Sequence, residues 1–271
     1  MVLSGVRWLL LLDILLLAAC APATELFDKE ARKFDLTRRV LKGTVYQHVA
    51  YRNAFRGNTL HIYLDGDGTP WSTRFSFAAD PTPRNPLVLQ LMSQDDTPSL
   101  YLGRPCYHGF AAVSPCNPLL WTSRRYGPEV VDSMAAALAN FLEQASYDHL
   151  VFIGYSGGGT LAVLLAERFS QTRGVLTIAG NLDPQHWAVW HGYSLLHGSL
   201  NPANRPPLSP TIRQMHIVGG KDTNVPVNLV RKFVEKQFHA KLVIFYEYDH
   251  ICCWEAIWPV ILAQWQDELI S

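Results

Sequence analysis

The segment that most constrains this chain runs from His149 to Phe169. His149-Leu-Val-Phe-Ile153 is an apolar run without polar alternation, the pattern of a strand buried on both faces. Gly154-Tyr155-Ser156-Gly157-Gly158 follows at once, and Thr160 to Phe169 reads as a helix. A strand, a glycine-flanked serine and a helix in immediate succession describe a tight turn with the serine at its apex. Glycines suit it, because side chains on either side would collide with the strand and the helix. Such a turn pushes the Ser156 hydroxyl beyond the carboxyl edge of a sheet. It also sets the Gly157 N–H at a helix N-terminus, where unpaired donors favour an anion. The competing reading is a glycine-rich turn that binds phosphate or only packs.

A serine hydroxyl needs a base, since its own pKa leaves almost no alkoxide at neutral pH. His250 lies after the last apolar strand, Leu242 to Tyr248, and before the final helix, which brings it to the same sheet edge as Ser156. The base in turn needs an acid to hold its tautomer. Asp222 follows the strand Ile212 to Val218 and is the preferred acid. Asp183, after the strand Val175 to Ala179, is the alternative, with an N-cap or turn carboxylate as its plainer reading. Asp249 adjoins His250 in sequence and is poorly placed to orient it.

The rest of the chain alternates strands and helices. Leu36 to Arg52 reads as a hairpin and Thr59 to Leu64 as a strand ending at Asp65-Gly66-Asp67-Gly68. A short helix is expected over Asn85 to Met92, and a strand over Leu100 to Leu102. Helices are expected over Pro128 to Ala145, Val225 to Phe238 and Ile257 to Ile270. This order predicts an α/β fold with a mostly parallel central sheet flanked by helices, in one domain. Residues 182–210 lack periodicity, and a connection that long is a candidate cap over the serine. Trp71, Trp121, Tyr155, Trp187 and Trp190 are candidate pocket walls, with ordinary core packing as the alternative.

The front of the chain is different. Arg7 precedes the apolar run Trp8 to Leu17, interrupted by Asp13, and the run is too short to cross a bilayer comfortably. Leu17-Ala18-Ala19-Cys20 resembles the lipobox of bacterial lipoproteins. That resemblance implies a signal peptide over 1–19, cleavage before Cys20 and a diacylglyceryl group on its sulfur. Residues 20–34 are then expected as a tether and 35–271 as the folded domain. Export into an oxidising compartment permits disulfides. Of the three pairings open to Cys106, Cys116, Cys252 and Cys253, Cys106–Cys116 closes a short loop and is preferred, while Cys252 and Cys253 stay open between free thiols and a vicinal bridge.

From about residue 40 onward the chain resembles the α/β-hydrolases, and more narrowly bacterial α/β-hydrolases exported as lipoproteins. The residues that carry the likeness are Asp65-Gly66-Asp67-Gly68 with Pro70-Trp71, Arg104-Pro105-Cys106, the Gly154–Gly158 turn and Asn181-Leu182-Asp183. The order Ser156, Asp222, His250 also matches that fold's order. The resemblance implies serine-hydrolase chemistry. By analogy with the His-Gly motif many members carry there, it implies that the Asp67 backbone N–H joins that of Gly157 as an oxyanion donor. Two carboxylates beside such a site depart from the usual pattern.

Hydrolysis of a small-molecule or lipid-like ester is the leading expectation. Acyl transfer, thioester cleavage and peptide cleavage use the same groups, and a non-catalytic surface lipoprotein is the reading from another class. Composition narrows the field: 23 Lys+Arg balance 23 Asp+Glu, without the basic excess of a nucleic-acid binder. Neither a metal-ligand motif nor a dinucleotide fingerprint occurs, so neither a metal nor a cofactor is expected. Oligomeric state is not legible. Ala21 after Cys20, in place of the Asp that often retains lipoproteins in the inner membrane, points to outer-membrane anchoring.

Overall fold

The computed structural model describes residues 23–270. The leader expected over 1–19 and the lipid site at Cys20 lie outside the described residues. The strands are β1 (Thr37–Lys42), β2 (Gln47–Arg52), β3 (Thr59–Leu64), β4 (Trp71–Thr73), β5 (Ser76–Phe77), β6 (Ser99–Leu102), β7 (His149–Tyr155), β8 (Thr172–Ile178), β9 (Arg213–Gly219) and β10 (Ala240–Phe245). Eight of them form one sheet in the order β1-β2-β6-β3-β7-β8-β9-β10, and β4 and β5 form a separate hairpin. β1, β2 and β6 pair antiparallel, and every pair from β6 across to β10 is parallel. The mostly parallel sheet expected from the sequence is the one observed.

The helices are α1 (Ala23–Lys33), α2 (Leu87–Met92), α3 (Pro128–Leu142), α4 (Gly157–Ala166), α5 (Pro184–Trp190), α6 (Val227–Val234) and α7 (Trp254–Ile270). β7 shows why its sequence lacks alternation. Successive side chains leave a strand on opposite faces, and both faces are covered. Leu150 and Phe152 join α3, α4 and α6 on one side, while Val151 and Ile153 join α1, α2 and α7 on the other. Each such side chain contributes roughly 1.5–3 kcal/mol by leaving water. This two-sided burial fixes β7 and the turn at its end.

Several expectations are corrected. The tether expected over 20–34 is, from Ala23, helix α1, docked through buried Phe27 and Ala31. The Phe27 ring lies 5.3 Å from that of Tyr101 and 4.8 Å from that of His108, so two apolar residues one turn apart suffice to seat an otherwise polar helix. The last helix, α7, begins at Trp254 rather than Ile257, and its Trp254, Trp258 and Trp265 are buried in the core. Residues 182–210 hold α5 and a 3-10 turn at Pro202–Asn204. They are pinned by Leu200 N–H to Tyr126 O (3.0 Å) and Trp187 Nε1–H to Asn224 O (2.9 Å), and Trp187 reaches the cleft that holds Ser156. Cys106 and Cys116 form a disulfide with S–S 2.03 Å, and Cys252 and Cys253 are joined to each other.

Candidate active site

β7 delivers Ser156 at φ +52° and ψ −120°, a strained backbone conformation for a residue with a side chain. The turn is held by Ser156 N–H to Ile178 O, Asn181 N–H to Ser156 O and Gly159 N–H to Ser156 O, each 2.9 Å. Close packing dictates the glycine after it: a Cβ at Gly158 would stand 2.1 Å from Leu64 O. The helix therefore starts immediately after the serine, at Gly157, three residues earlier than its sequence suggests.

The loops after β9 and β10 bring the partners. Ser156 Oγ lies 3.0 Å from His250 Nε2, and His250 Nδ1 lies 2.8 Å from Asp222 Oδ2. A carboxylate only accepts, so Nδ1 carries the proton and Nε2 is left to accept from the serine hydroxyl. Asp222 is fixed as well: its Oδ1 accepts from the N–H groups of Asn224 (2.8 Å) and Val225 (2.7 Å), and its side chain is fully buried. His250 is held from behind, where its carbonyl accepts from Tyr155 Oη (3.1 Å) and Trp254 Nε1 (3.1 Å).

The rival acids are engaged elsewhere. Asp183 N-caps α5, accepting from His186 N–H (3.2 Å), His186 Nδ1 (2.5 Å) and Asn201 Nδ2 (2.8 Å). Asp249 accepts from the N–H groups of Ile251 and Cys252, both at 2.8 Å. Neither touches the His250 ring.

The loop after β3 lies against the serine. A Cβ on Gly66 would stand 3.4 Å from Ser156 Cβ. Among the described residues, neither Asp67 N–H nor Gly157 N–H donates to another protein group. Stabilising an oxyanion would call for free donors of this kind, one following the serine and one in the loop packed against it.

The two carboxylates of this loop are handled differently. Asp67 is clamped by Arg104 Nη2 on Oδ1 (2.9 Å), Arg125 Nη1 on Oδ2 (2.8 Å) and Tyr126 Oη (2.7 Å), and its carbonyl accepts from Tyr107 Oη (3.0 Å). Burial alone would raise its carboxyl pKa; the Arg125 and Arg104 guanidiniums outweigh that and hold it below the usual range. Two cations on one anion leave the cluster positive overall, so this carboxylate does not oppose a developing oxyanion. Gly157 is needed here too, since a Cβ would lie 2.1 Å from Asp67 Oδ1. Asp65 has no such clamp. Its Oδ1 accepts from Gly66 N–H (2.7 Å), Oδ2 is buried without a partner, and burial pushes the carboxyl up to about 7.

These groups line an open cleft of about 390 Å³ with Thr69, Pro70, Pro83, Arg84, Asn85, Asn181, Trp187, Asn224, Val225 and Ile251. Of the pocket-wall candidates, Tyr155 and Trp187 line it. Trp71 and Trp190 do not; they are 43% and 64% exposed. Trp121 is core. The residues that sequence reasoning missed are Arg104 as a clamp on Asp67, Arg125 and Tyr126, which come from loops without a motif. Two arginines in a chain with only 17% charged residues were the available signal. Among the described residues, no cluster of His, Cys, Asp and Glu is placed to hold a metal ion.

Comparison with known proteins agrees with the fold and with hydrolase chemistry. Residues 119–252 match a family model described as Serine hydrolase (FSH1), a stretch that includes Ser156, Asp222 and His250. No curated protein matches the chain. Among solved structures, an esterase of Pyrococcus furiosus superposes with a TM-score of 0.62 at 12% identity, covering 89% of this chain and 93% of that one. A membrane phospholipase A described as a bacterial virulence factor gives 0.58 at 15% identity, with 97% of both chains covered. Alpha/beta hydrolase domain-containing protein 10 from mouse gives 0.58 at 12% identity, covering 85% and 97%. At these identities the structural likeness speaks for the fold alone.

Proposed function

We propose that this α/β-hydrolase-fold serine hydrolase cleaves carboxylic esters through Ser156, His250 and Asp222, and that a lipid on Cys20 holds it at a membrane facing the periplasm or cell surface. The observation that carries the catalytic reading is the unbroken line of hydrogen bonds, 3.0 Å from Ser156 to His250 and 2.8 Å from His250 to Asp222, at the floor of an open cleft. Ser156 Oγ attacks the ester carbonyl while His250 Nε2 takes its proton. Asp222 keeps the imidazole oriented and stabilises the imidazolium. The tetrahedral oxyanion accepts from Gly157 N–H and Asp67 N–H. His250 returns the proton to the leaving alkoxide, and water, activated by the same imidazole, releases the acid from the acyl-enzyme.

The cleft has room for a small ester or for the ester end of a lipid, with Tyr155, Trp187, Val225 and Ile251 as apolar walls. A panel of p-nitrophenyl esters of increasing acyl length tests this reading. The protein turns over at least the short members, and Ser156→Ala lowers kcat by about 10,000-fold or more. Turnover that survives Ser156→Ala, or is absent from the whole panel, counts against it. The anchor is tested separately, by the mass of the N-terminal peptide: a diacylglyceryl Cys20 is expected, and an unmodified Cys20 in the membrane fraction contradicts it.

A further inference from the structure

Beside the cleft, the β4–β5 hairpin carries an apolar surface that the fold leaves uncovered. Trp71 is 43% exposed, Phe77 47% and Phe75, at the turn, 86%. Trp71 and Phe77 are cross-strand partners with ring centroids 4.7 Å apart, so they form one aromatic face. The Arg74 guanidinium lies 5.8 Å from the Phe75 ring centroid, and among the described residues no ion pair involves it. Large rings concentrated on a two-stranded tip contribute nothing to the core. Rings beside an unpaired guanidinium suit an environment that is apolar at one depth and anionic at the next.

Further contacts place this hairpin beside the cleft and beside the start of the described chain. The hairpin's base is the rim of the cleft: Thr69 and Pro70 line it, and Ala78 N–H donates to Pro70 O at 3.0 Å. The start of the described chain returns to the same place, where Thr24 Oγ1 donates to Asp80 Oδ2 at 3.0 Å. Cys20 precedes Ala23 by only three residues, at most roughly 11 Å of extended chain. A lipid on Cys20 and the aromatic hairpin would therefore meet one surface. An acyl anchor fixes attachment but not orientation, and a second contact is needed to set the latter.

We propose that the β4–β5 hairpin is a docking element for an anionic lipid bilayer, seating Trp71, Phe75 and Phe77 at the boundary of headgroups and acyl chains and Arg74 among the headgroup phosphates. Aromatic side chains favour that depth, and a basic residue beside them adds attraction to anionic lipid. The docked hairpin turns the mouth of the cleft toward the bilayer, so an ester group reaches Ser156 without first crossing water. The lipid supplies attachment; the hairpin supplies the facing.

The test uses the chain from Ala21 onward, which retains every described residue but has no Cys20. It is sedimented with vesicles of phosphatidylglycerol and phosphatidylcholine in equal parts, and with phosphatidylcholine alone. The wild type is expected to sediment with the anionic vesicles. F75S/F77S should lower the bound fraction at least tenfold, and Arg74→Gln should lower it on the anionic vesicles more than on the neutral ones. Phe75→Ser alone, the most exposed of the three rings, guards against misfolding and should weaken binding with an unchanged Tm. Turnover of a water-soluble ester should be unchanged in all three. Ser156→Ala should bind as the wild type does, which separates this result from the fate of the catalytic reading. Equal sedimentation of F75S/F77S, no sedimentation of the wild type, or a dimer in light scattering that F75S/F77S abolishes would each overturn the proposal, the last by giving the hairpin to a second copy of the chain.

Discussion

Asp222 illustrates what a single residue does in this site. It accepts three hydrogen bonds, two from backbone and one from His250 Nδ1. Asp222→Asn keeps the shape but can donate to Nδ1, leaving the wrong tautomer, so kcat should fall by about 10,000-fold with KM little changed. The same substitution at Asp183 should leave kcat within about threefold, since that side chain caps α5 and never meets His250. Steady-state kinetics on the two variants discriminates between the acids. A second residue-scale prediction concerns the Asp67 clamp. Arg125→Met removes one of two cations from Asp67 and frees its peptide to shift, which should lower kcat by roughly 10- to 100-fold through the oxyanion, again with little effect on KM. Ser156, Asp222 and His250 were each legible because each follows a recognisable strand. The clamp was not, because Arg104, Arg125 and Tyr126 converge on Asp67 only once the loops are folded.

At the scale of elements, the turn between β7 and α4 is the most constrained piece of the chain. Gly158 packs against the carbonyl of Leu64, so Gly158→Ala must separate β3 from α4. We expect a loss of about 3 kcal/mol or more, read as a fall in Tm of roughly 6–12 °C in thermal unfolding. The β7–α4 pair was readable because local pattern and global fold agree there: an apolar run, glycines and a helix that each demand the next. α1 was misread for the opposite reason. Its sequence is polar apart from a narrow stripe, and what makes it a docked helix is the ring cluster of Tyr51, Tyr101 and His108, residues far along the chain. Residues 182–210 were legible as irregular but not in their path, because their pins to Tyr126 and Asn224 are tertiary. The mostly parallel character of the sheet follows from strand–helix alternation, whereas its order, with β6 between β2 and β3, and strand ends such as that of β10, at Phe245 rather than Tyr248, depend on tertiary pairing.

The whole molecule carries its titration in a few buried groups, and their signs oppose. Burial lowers His48 and His108 to about 4 and His216 to about 3, so the folded chain binds fewer protons than the unfolded one below pH 6.5. Stability from these three is present above pH 6.5 and lost as pH falls through the folded values. Asp65, raised to about 7, works the other way: the folded chain holds an extra proton between about pH 4 and 7, so this group costs stability as pH rises through that window. Three imidazoles outweigh one carboxyl, and the net loss between pH 7 and pH 5 should be about 3 kcal/mol. Urea unfolding at the two pH values measures it. Asp65→Asn removes the offsetting group and should make the loss on acidification larger. At this scale the proposed function comes down to one claim, that the fold presents Ser156 as an activated nucleophile. The most direct test is the intact mass of the protein after exposure to a fluorophosphonate at neutral pH. One adduct is predicted, on the peptide containing Ser156, abolished by Ser156→Ala and slowed by His250→Ala. An adduct of equal yield on the Ser156→Ala protein, or none on the wild type, would contradict it.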